Sequence, residues 1–386
     1  MPNRLRDALR LVAVVVVATL IAAACGGNET PIGAPTTTEP VVSVAPETTV
    51  EPEVIEEEES VGTPVEIEDT FTRQNGNIEP LSGLPLTDQA MLTERPIAVK
   101  IDNDEKARPQ FGLEAADIVY EVLVENQITR FLAIFHSSYP ERVGPVRSAR
   151  SSDIDLMAPL ANPLFAYSGS NDIVGQEVRA AQAEGLLVSA NFDQANSAYI
   201  DRDDRPAPHH RTLFPAKLSQ EQFTTAPTVV RPVFRYQRDG DDAPVDTIDT
   251  ASFEVSTNER TPAVYTWNAD EMGWQRFQAG TPHLTEDGSQ LTPANVVVLE
   301  IDYTISRADA ASPQAITTGS GTATVFSNGQ RIEGLWQRTV SSQGFDLIHP
   351  DGRKIRLEPG QTFVHLSEPG DLSILGFGEF GGGDDQ

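Results

Sequence analysis

"ADIVYEVLVENQITRFLAIFH", residues 116–136, decides the reading of the first half of the chain. Two runs, 116–124 and 128–136, are rich in β-branched and aromatic residues and are separated by Glu125-Asn126-Gln127. Side chains of that shape favour extended backbone, so both runs read as strands. Upstream, "RPIAVKID" (95–102) is another short apolar run and leads into Asp102-Asn103-Asp104. Downstream, "PLFAYSG" (163–169) predicts a further strand. Helices are expected at about 150–160, over "NDIVGQEVRAAQAEG" (171–185) and over "PAKLSQEQF" (215–223). The middle one has Asn171 and Asp172 as starters, apolar Ile173, Val174, Val178 and Ala181, and Gly185 as a stop. Strands mixed with helices on a shared sheet predict an α/β or α+β domain over 79–225.

From 226 to 376 the pattern changes. Strand-like runs recur at 263–267, 274–278, 295–302, 322–327, 332–338, 345–349, 354–358 and 362–367, with no amphipathic helix of useful length. Asn328-Gly329 and Asp351-Gly352 are hairpin turn signals, because these residues tolerate positive φ. A smaller antiparallel all-β domain is expected here, followed by a Gly-rich polar tail at 377–386. Trp267, Trp274 and Trp336 all fall in this half and read as core or sheet-face packing.

The first 25 residues address location. Arg4, Arg6 and Arg10 precede the apolar run 11–24, which ends at Cys25-Gly26-Gly27. A basic start, a short apolar stretch and small residues make a secretory signal. Fourteen residues are too few to cross a bilayer of ~30 Å as a helix. Cys25 is the single cysteine, so it cannot form an internal disulfide. Its place after Ala22-Ala23-Ala24 resembles a bacterial lipobox, which implies lipidation at Cys25, an extracytoplasmic location and a lipid anchor in the cell membrane. Residues 26–78 read as an acidic tether; 26–72 hold twelve acids and no Lys or Arg. The chain carries 57 Asp+Glu against 28 Lys+Arg, a net charge of −29, which on average repels nucleic acid.

Against that background "VGPVRSARSSDID" (143–155) places Arg147 and Arg150 three residues apart, just after Gly144-Pro145. Gly144 lets a ligand or another backbone approach closely, and Ser151, Ser152, Asp153 and Asp155 are helix-start residues. The stretch predicts strand, turn, helix start, with backbone N–H groups open to an anion. A helical turn through Arg150 would place Arg147 and Arg150 on one face, where two guanidinium forks grip carboxylate or phosphate. The competing reading pairs these arginines with the chain's own Glu121, Glu125, Asp153 or Asp155. Arg130 joins the anion-binding candidates, as does His209 of the Pro-rich loop "RDDRPAPHHRTLF" (202–214), which is expected to close over the arginines.

In order, "RPIAVKIDN", "KARPQFGLEAADIVYEVLVE", "ITRFLAIF", "VGPVRSAR", "RPAPHH", "GLWQR" and "IRLEPGQTFVHL" resemble the YerB-like family of bacterial lipoproteins, a domain family of unknown function. "KIDND", "ADIVYE", "ITRFLAIF" and "GPVRSAR" are also similar in order to motifs of the LytR-CpsA-Psr envelope ligases. That second resemblance implies a metal or catalytic role for Asp102 and Asp104, Mg²⁺ as cofactor, and phosphate clamps at Arg147 and Arg150. The ligases' arginine before their Ser-Asp strand start is absent here, where Ala115-Ala116 precede Asp117. Two functions therefore stand side by side. One is a lipoprotein that binds an anionic envelope ligand, a cell-wall component or an envelope protein. The other is metal-assisted phosphoryl transfer on a lipid-linked substrate.

Overall fold

Three strands carry the centre of the molecule: β1 (Ile97–Asp102), β2 (Ile118–Leu123) and β3 (Thr129–Phe135), with every residue of each buried. The structure is a computed structural model that describes residues 78–220, 229–244, 246–258 and 260–376, all within one compact unit. The signal segment with Cys25, the tether as far as residue 77 and the tail from 377 lie outside the described residues. No helix among the described residues is long and apolar enough to cross a membrane.

β3 pairs antiparallel with β2 on one side and with β1 on the other. Residues alternate between the two faces of a strand. Ala98, Ile118, Tyr120, Val122, Leu132 and Ile134 enter one apolar core, and Ile97, Val99, Ile101, Val119, Phe131, Ala133 and Phe135 enter another. A strand buried on both faces has no solvent side to record in its sequence, which is why these runs are mostly apolar and lack polar alternation, with Lys100, Asp102, Glu121, Thr129 and Arg130 as buried exceptions.

The chain continues through α1 (Ser151–Met157), β4 (Leu164–Ala166), α2 (Asp172–Ala183), β5 (Val188–Ser189), β6 (Tyr199–Asp201), β7 (Arg211–Leu213) and α3 (Pro215–Gln220). β4 lies parallel to β1, and β5 parallel to β4. Asn171 starts α2 as expected, its side chain accepting the Val174 N–H at 2.9 Å.

The second half supplies β8 (Ile248–Asp249), β9 (Ser252–Val255), β10 (Ala263–Asn268), β11 (Gly273–Gln278), β12 (Thr281–Pro282), β13 (Asn295–Glu300) and β14 (Tyr303–Ile305). It ends with β15 (Pro313–Ala315), β16 (Gly319–Ser327), β17 (Gln330–Arg338), β18 (Asp346–Ile348), β19 (Thr362–Ser367) and β20 (Leu372–Leu375). The turn joining β16 to β17 places Asn328 at φ 48° and Gly329 at φ 73°, the left-handed pair that a two-residue hairpin needs. Trp274 and Trp336 are buried, and Trp267 packs on Trp274 with ring centroids 5.3 Å apart.

The fold is rich in strands and poor in helix. Its main sheet runs β18-β17-β16-β13-β19-β2-β3-β1-β4-β5, with β8 also on β17, and a five-stranded sheet runs β12-β11-β10-β9-β20. This corrects the expected split into an α/β half and a free-standing antiparallel half. β19 lies between β13 and β2 and is parallel to both, so the main sheet crosses the expected boundary at 225. The cause is visible in β19 itself, "TFVHLS", whose six residues are all buried and which therefore needs neighbours on both sides. A smaller correction concerns 354–358, which forms no strand. Ile355 donates to Leu347 O while Leu357 donates to Arg235 O, so the segment never follows one neighbour.

Candidate functional site: an aspartate shared by arginine and histidine

The alternation along the central strands puts Lys100 and Asp102 of β1 on the same face as Arg130 of β3, and Asp102 is the register partner of Arg130. "VGPVRSAR" runs extended past this end of the sheet. Val146 bridges to Ile101, Val143 bridges to Leu213, and the Arg147 N–H donates to Lys100 O at 2.8 Å. Gly144 has φ 151°, and a Cβ there would lie 3.0 Å from Arg211 O and 3.2 Å from Thr212 Cα. The close approach is thus made by another strand's backbone.

Arg147 and Arg150 do not share a helical face, which corrects the expectation from their spacing. Arg150 is still extended (φ −132°, ψ 156°) and the helix begins at Ser151. At the start of α1, Asp153 Oδ2 accepts the Arg150 N–H at 2.7 Å, so the chain's own carboxylate stands at that end. Ser152 does not pair with Asp155 as a capping box; its Oγ accepts the Ala315 N–H at 3.0 Å.

Four cations stand here among three carboxylates. Lys100 Nζ meets Asp153 Oδ1 at 2.6 Å, both side chains fully buried, and burial pulls the ammonium below its ordinary range. Glu125 is shared by Arg130, at 2.8 Å from Nη2, and Arg150, at 2.8 Å from Nε. Burial works to raise the Glu125 carboxyl, but the Arg150 hydrogen bonds and the two guanidinium charges outweigh it and hold it at about 2. Burial, then the neighbouring Arg150 charge, push Arg130 down to about 10, so both partners stay ionised at neutral pH. Each guanidinium nitrogen of Arg150 meets an acceptor: besides Glu125 on Nε and Nη2, its Nη1 donates to Ala149 O at 2.8 Å. For Arg130 and Arg150 the ion-pair reading holds.

Arg147 differs. Its Nε lies 2.9 Å from Asp102 Oδ2, an ion pair without hydrogen-bond alignment. Its side chain is 17% exposed, and its two Nη atoms meet no acceptor among the described residues. The same oxygen, Asp102 Oδ2, is 2.7 Å from His209 Nδ1. Asp102 is fully buried, so this carboxylate is held by partners rather than by water. His209 arrives as the loop was expected to deliver it. Arg205 fastens the loop to Ala107 O at 2.6 Å and Pro109 O at 2.8 Å, and the Phe111 ring carries Arg142, Arg202 and Arg205 at 4.4, 4.3 and 5.1 Å.

The metal role expected for Asp102 and Asp104 does not match this geometry. Asp102 is engaged by Arg147 and His209, and Asp104 Oδ1 accepts the Lys106 N–H at 3.0 Å. Among the described residues no three His, Cys, Asp or Glu side chains converge as a metal site would need.

Two features escaped sequence reasoning. Lys100 was legible as a cation inside the otherwise apolar run 97–101. The other is a second buried polar centre: Arg276 Nη2 meets Glu121 Oε2 at 2.8 Å, and Glu121 also accepts from Thr129 at 2.7 Å and Asn103 at 3.2 Å. Arg276 Nε donates to Tyr265 OH at 3.0 Å, and that hydroxyl lies 2.8 Å from His365 Nε2. Nothing in the sequence marks Arg276 as the partner of a residue 155 positions away.

The family described as protein of unknown function DUF3048 matches through its N-terminal domain at residues 81–227 and its C-terminal domain at 251–364. The chain belongs to the DUF3048 family. Both buried polar centres of this DUF3048 protein draw on the N-terminal domain, and the Glu121 centre joins it to the C-terminal one. The chain is 29% identical over 307 residues to the putative lipoprotein YerB of Bacillus subtilis (strain 168), covering 78% of this chain and 89% of that protein. The crystal structure of the YerB protein from Bacillus subtilis superposes with a TM-score of 0.68 at 26% identity, covering 78% of this chain and 99% of that one.

Proposed function

We propose that this protein is a membrane-anchored envelope lipoprotein that binds an oxyanion, carboxylate or phosphate, through Arg147. The observation that supports this reading is the unshared Nη pair of Arg147, held in place by its own Nε on Asp102, while each guanidinium nitrogen of neighbouring Arg150 meets an acceptor. A guanidinium fork fixed at one end and open at the other suits bidentate contact with two anion oxygens. The local excess of positive charge, set in a chain of net charge −29, favours an anion at this place alone.

Equilibrium titration of the full-length protein with acetate, inorganic phosphate and pyrophosphate tests the reading. Arg147→Lys keeps the charge and loses the fork, so affinity is expected to fall about tenfold or more with little change in the urea midpoint. Arg150→Lys is expected to do the reverse, lowering stability by about 1–3 kcal/mol because Glu125 and two carbonyls lose donors. Unchanged affinity in Arg147→Lys, or no binding of any of the three anions, would sink the proposal.

The lipid anchor is assigned to Cys25, supported by its place after a short apolar run and by the YerB relative's description as a putative lipoprotein. Cys25→Ser is expected to shed the protein into the medium or leave it unprocessed, and to abolish incorporation of labelled fatty acid. A variant still membrane-bound and trimmed like the wild type would contradict this assignment.

A further inference from the structure

We infer that the Arg147 site selects an oxyanion that also offers a hydroxyl hydrogen, and discriminates against one that offers none. This rests on the oxyanion reading of Arg147 and concerns what the neighbouring His209 adds to it. Every cation around the site is a pure donor: Arg and Lys have no acceptor atom. Those donors alone would take any small oxyanion of suitable shape, sulfate as readily as phosphate. His209 breaks the pattern. Its Nδ1 lies 2.7 Å from Asp102 Oδ2, and an ionised carboxylate can only accept, so the proton sits on Nδ1. When the ring carries that single proton, Nε2 keeps a lone pair, and Nε2 meets no donor among the described residues.

The same Asp102 oxygen holds Arg147 Nε at 2.9 Å, so the open fork and the open lone pair are tied to one buried atom. The Phe111 stack and the Arg205 hydrogen bonds to Ala107 and Pro109 hold the histidine's loop, which limits the ring's freedom to turn away. A ligand filling both places needs anionic oxygens for the guanidinium and an O–H for the imidazole. Inorganic phosphate has both, because it keeps a proton throughout the neutral range. A carboxylate or phosphate beside a hydroxylated carbon has both as well. Sulfate has only the first. A lone pair forced against a bare anion's oxygen is repelled and left unpaired, the asymmetry by which polar sites reject isosteres.

The test uses the full-length protein at pH 8, where an imidazole ordinarily carries a single proton. Phosphate is titrated against sulfate, and lactate against propionate. Phosphate is expected to bind about tenfold more tightly than sulfate, the effect of one buried hydrogen bond left unmade. Lactate exceeding propionate as well would place the donor on a neighbouring carbon; phosphate exceeding sulfate alone would place it on the anion itself. Either result supports the inference. In His209→Ala the preference should collapse. Because that variant also strips a partner from buried Asp102, the wild-type ring is read in parallel: the ¹⁵N resonance of Nε2 should shift with phosphate and not with sulfate. Equal binding within both pairs, or an Nε2 resonance indifferent to bound phosphate, overturns this inference and leaves the oxyanion site standing. Failure of all four anions to bind overturns both.

Discussion

Replacing Arg276 by methionine should lower the unfolding free energy by about 3–5 kcal/mol, the loss typical of a buried ion pair deprived of one partner. Arg276 and Glu121 are both buried, and the charge on Glu121 survives there only through its partners. Burial opposes ionisation of Glu121; the Arg276 charge, then His365 and the Thr129 hydrogen bond, outweigh it and hold the carboxyl below its ordinary range. Methionine fills similar volume and supplies no donor, so the change isolates the lost charge from any cavity. Against a total stability of about 5–15 kcal/mol, the variant is expected to be marginal. Urea unfolding at pH 7 measures it. The pH dependence carries a second signature. A depressed carboxyl contributes stability that is complete above the ordinary glutamate range and is lost as pH falls through the folded value. The wild type should therefore lose this contribution on acidification, and Arg276→Met should not. The double variant Glu121→Gln/Arg276→Met should recover part of the loss, because no buried carboxylate is then left alone. A single-variant loss below about 1 kcal/mol would mean that the pair is not what secures the two halves.

Expressed alone, residues 79–225 should be insoluble, or soluble only as aggregate. Without β19 the outer edge of β2 is bare, and β2 is a fully apolar-flanked strand with no residue exposed in the native sheet. An exposed, long, hydrophobic edge is a template for pairing with other chains. The complementary experiment introduces a protease site between Gln220 and Val229 in the folded protein. The two pieces should then elute together under native conditions and part only in denaturant, since β19 pairs five registered residues with β2. A cooperative urea transition in the isolated N-terminal piece would show that the shared sheet is dispensable.

What could be read from the sequence was whatever is written locally. The runs at 97–102, 118–123 and 129–135 announce strands through their β-branched and aromatic residues, and the structure buries them on both faces. Asn328-Gly329 announces its hairpin, since few other pairs accept positive φ at both places. Asn171 announces the start of α2. The stretch 143–150 could be recognised as a site because charge there contradicts the surrounding composition, and Glu125, the partner of Arg150, was within the candidates. Only the tertiary structure could decide which runs lie side by side. Backbone hydrogen bonds are the same for every sequence, so a strand's apolar pattern says how it is buried and not against whom. β19 next to β2 is such a choice, and it joins halves whose sequence patterns look independent. The same holds for charge. Arg147 and Arg150 are equivalent on paper, and they part company because one meets Glu125 and the other meets an oxygen of Asp102. That oxygen also takes a histidine 107 residues away, brought there by a loop stacked on Phe111. Ion pairs form over a few ångströms of space and carry no mark in chain distance, so the open guanidinium fork of Arg147 became visible only when the chain was folded.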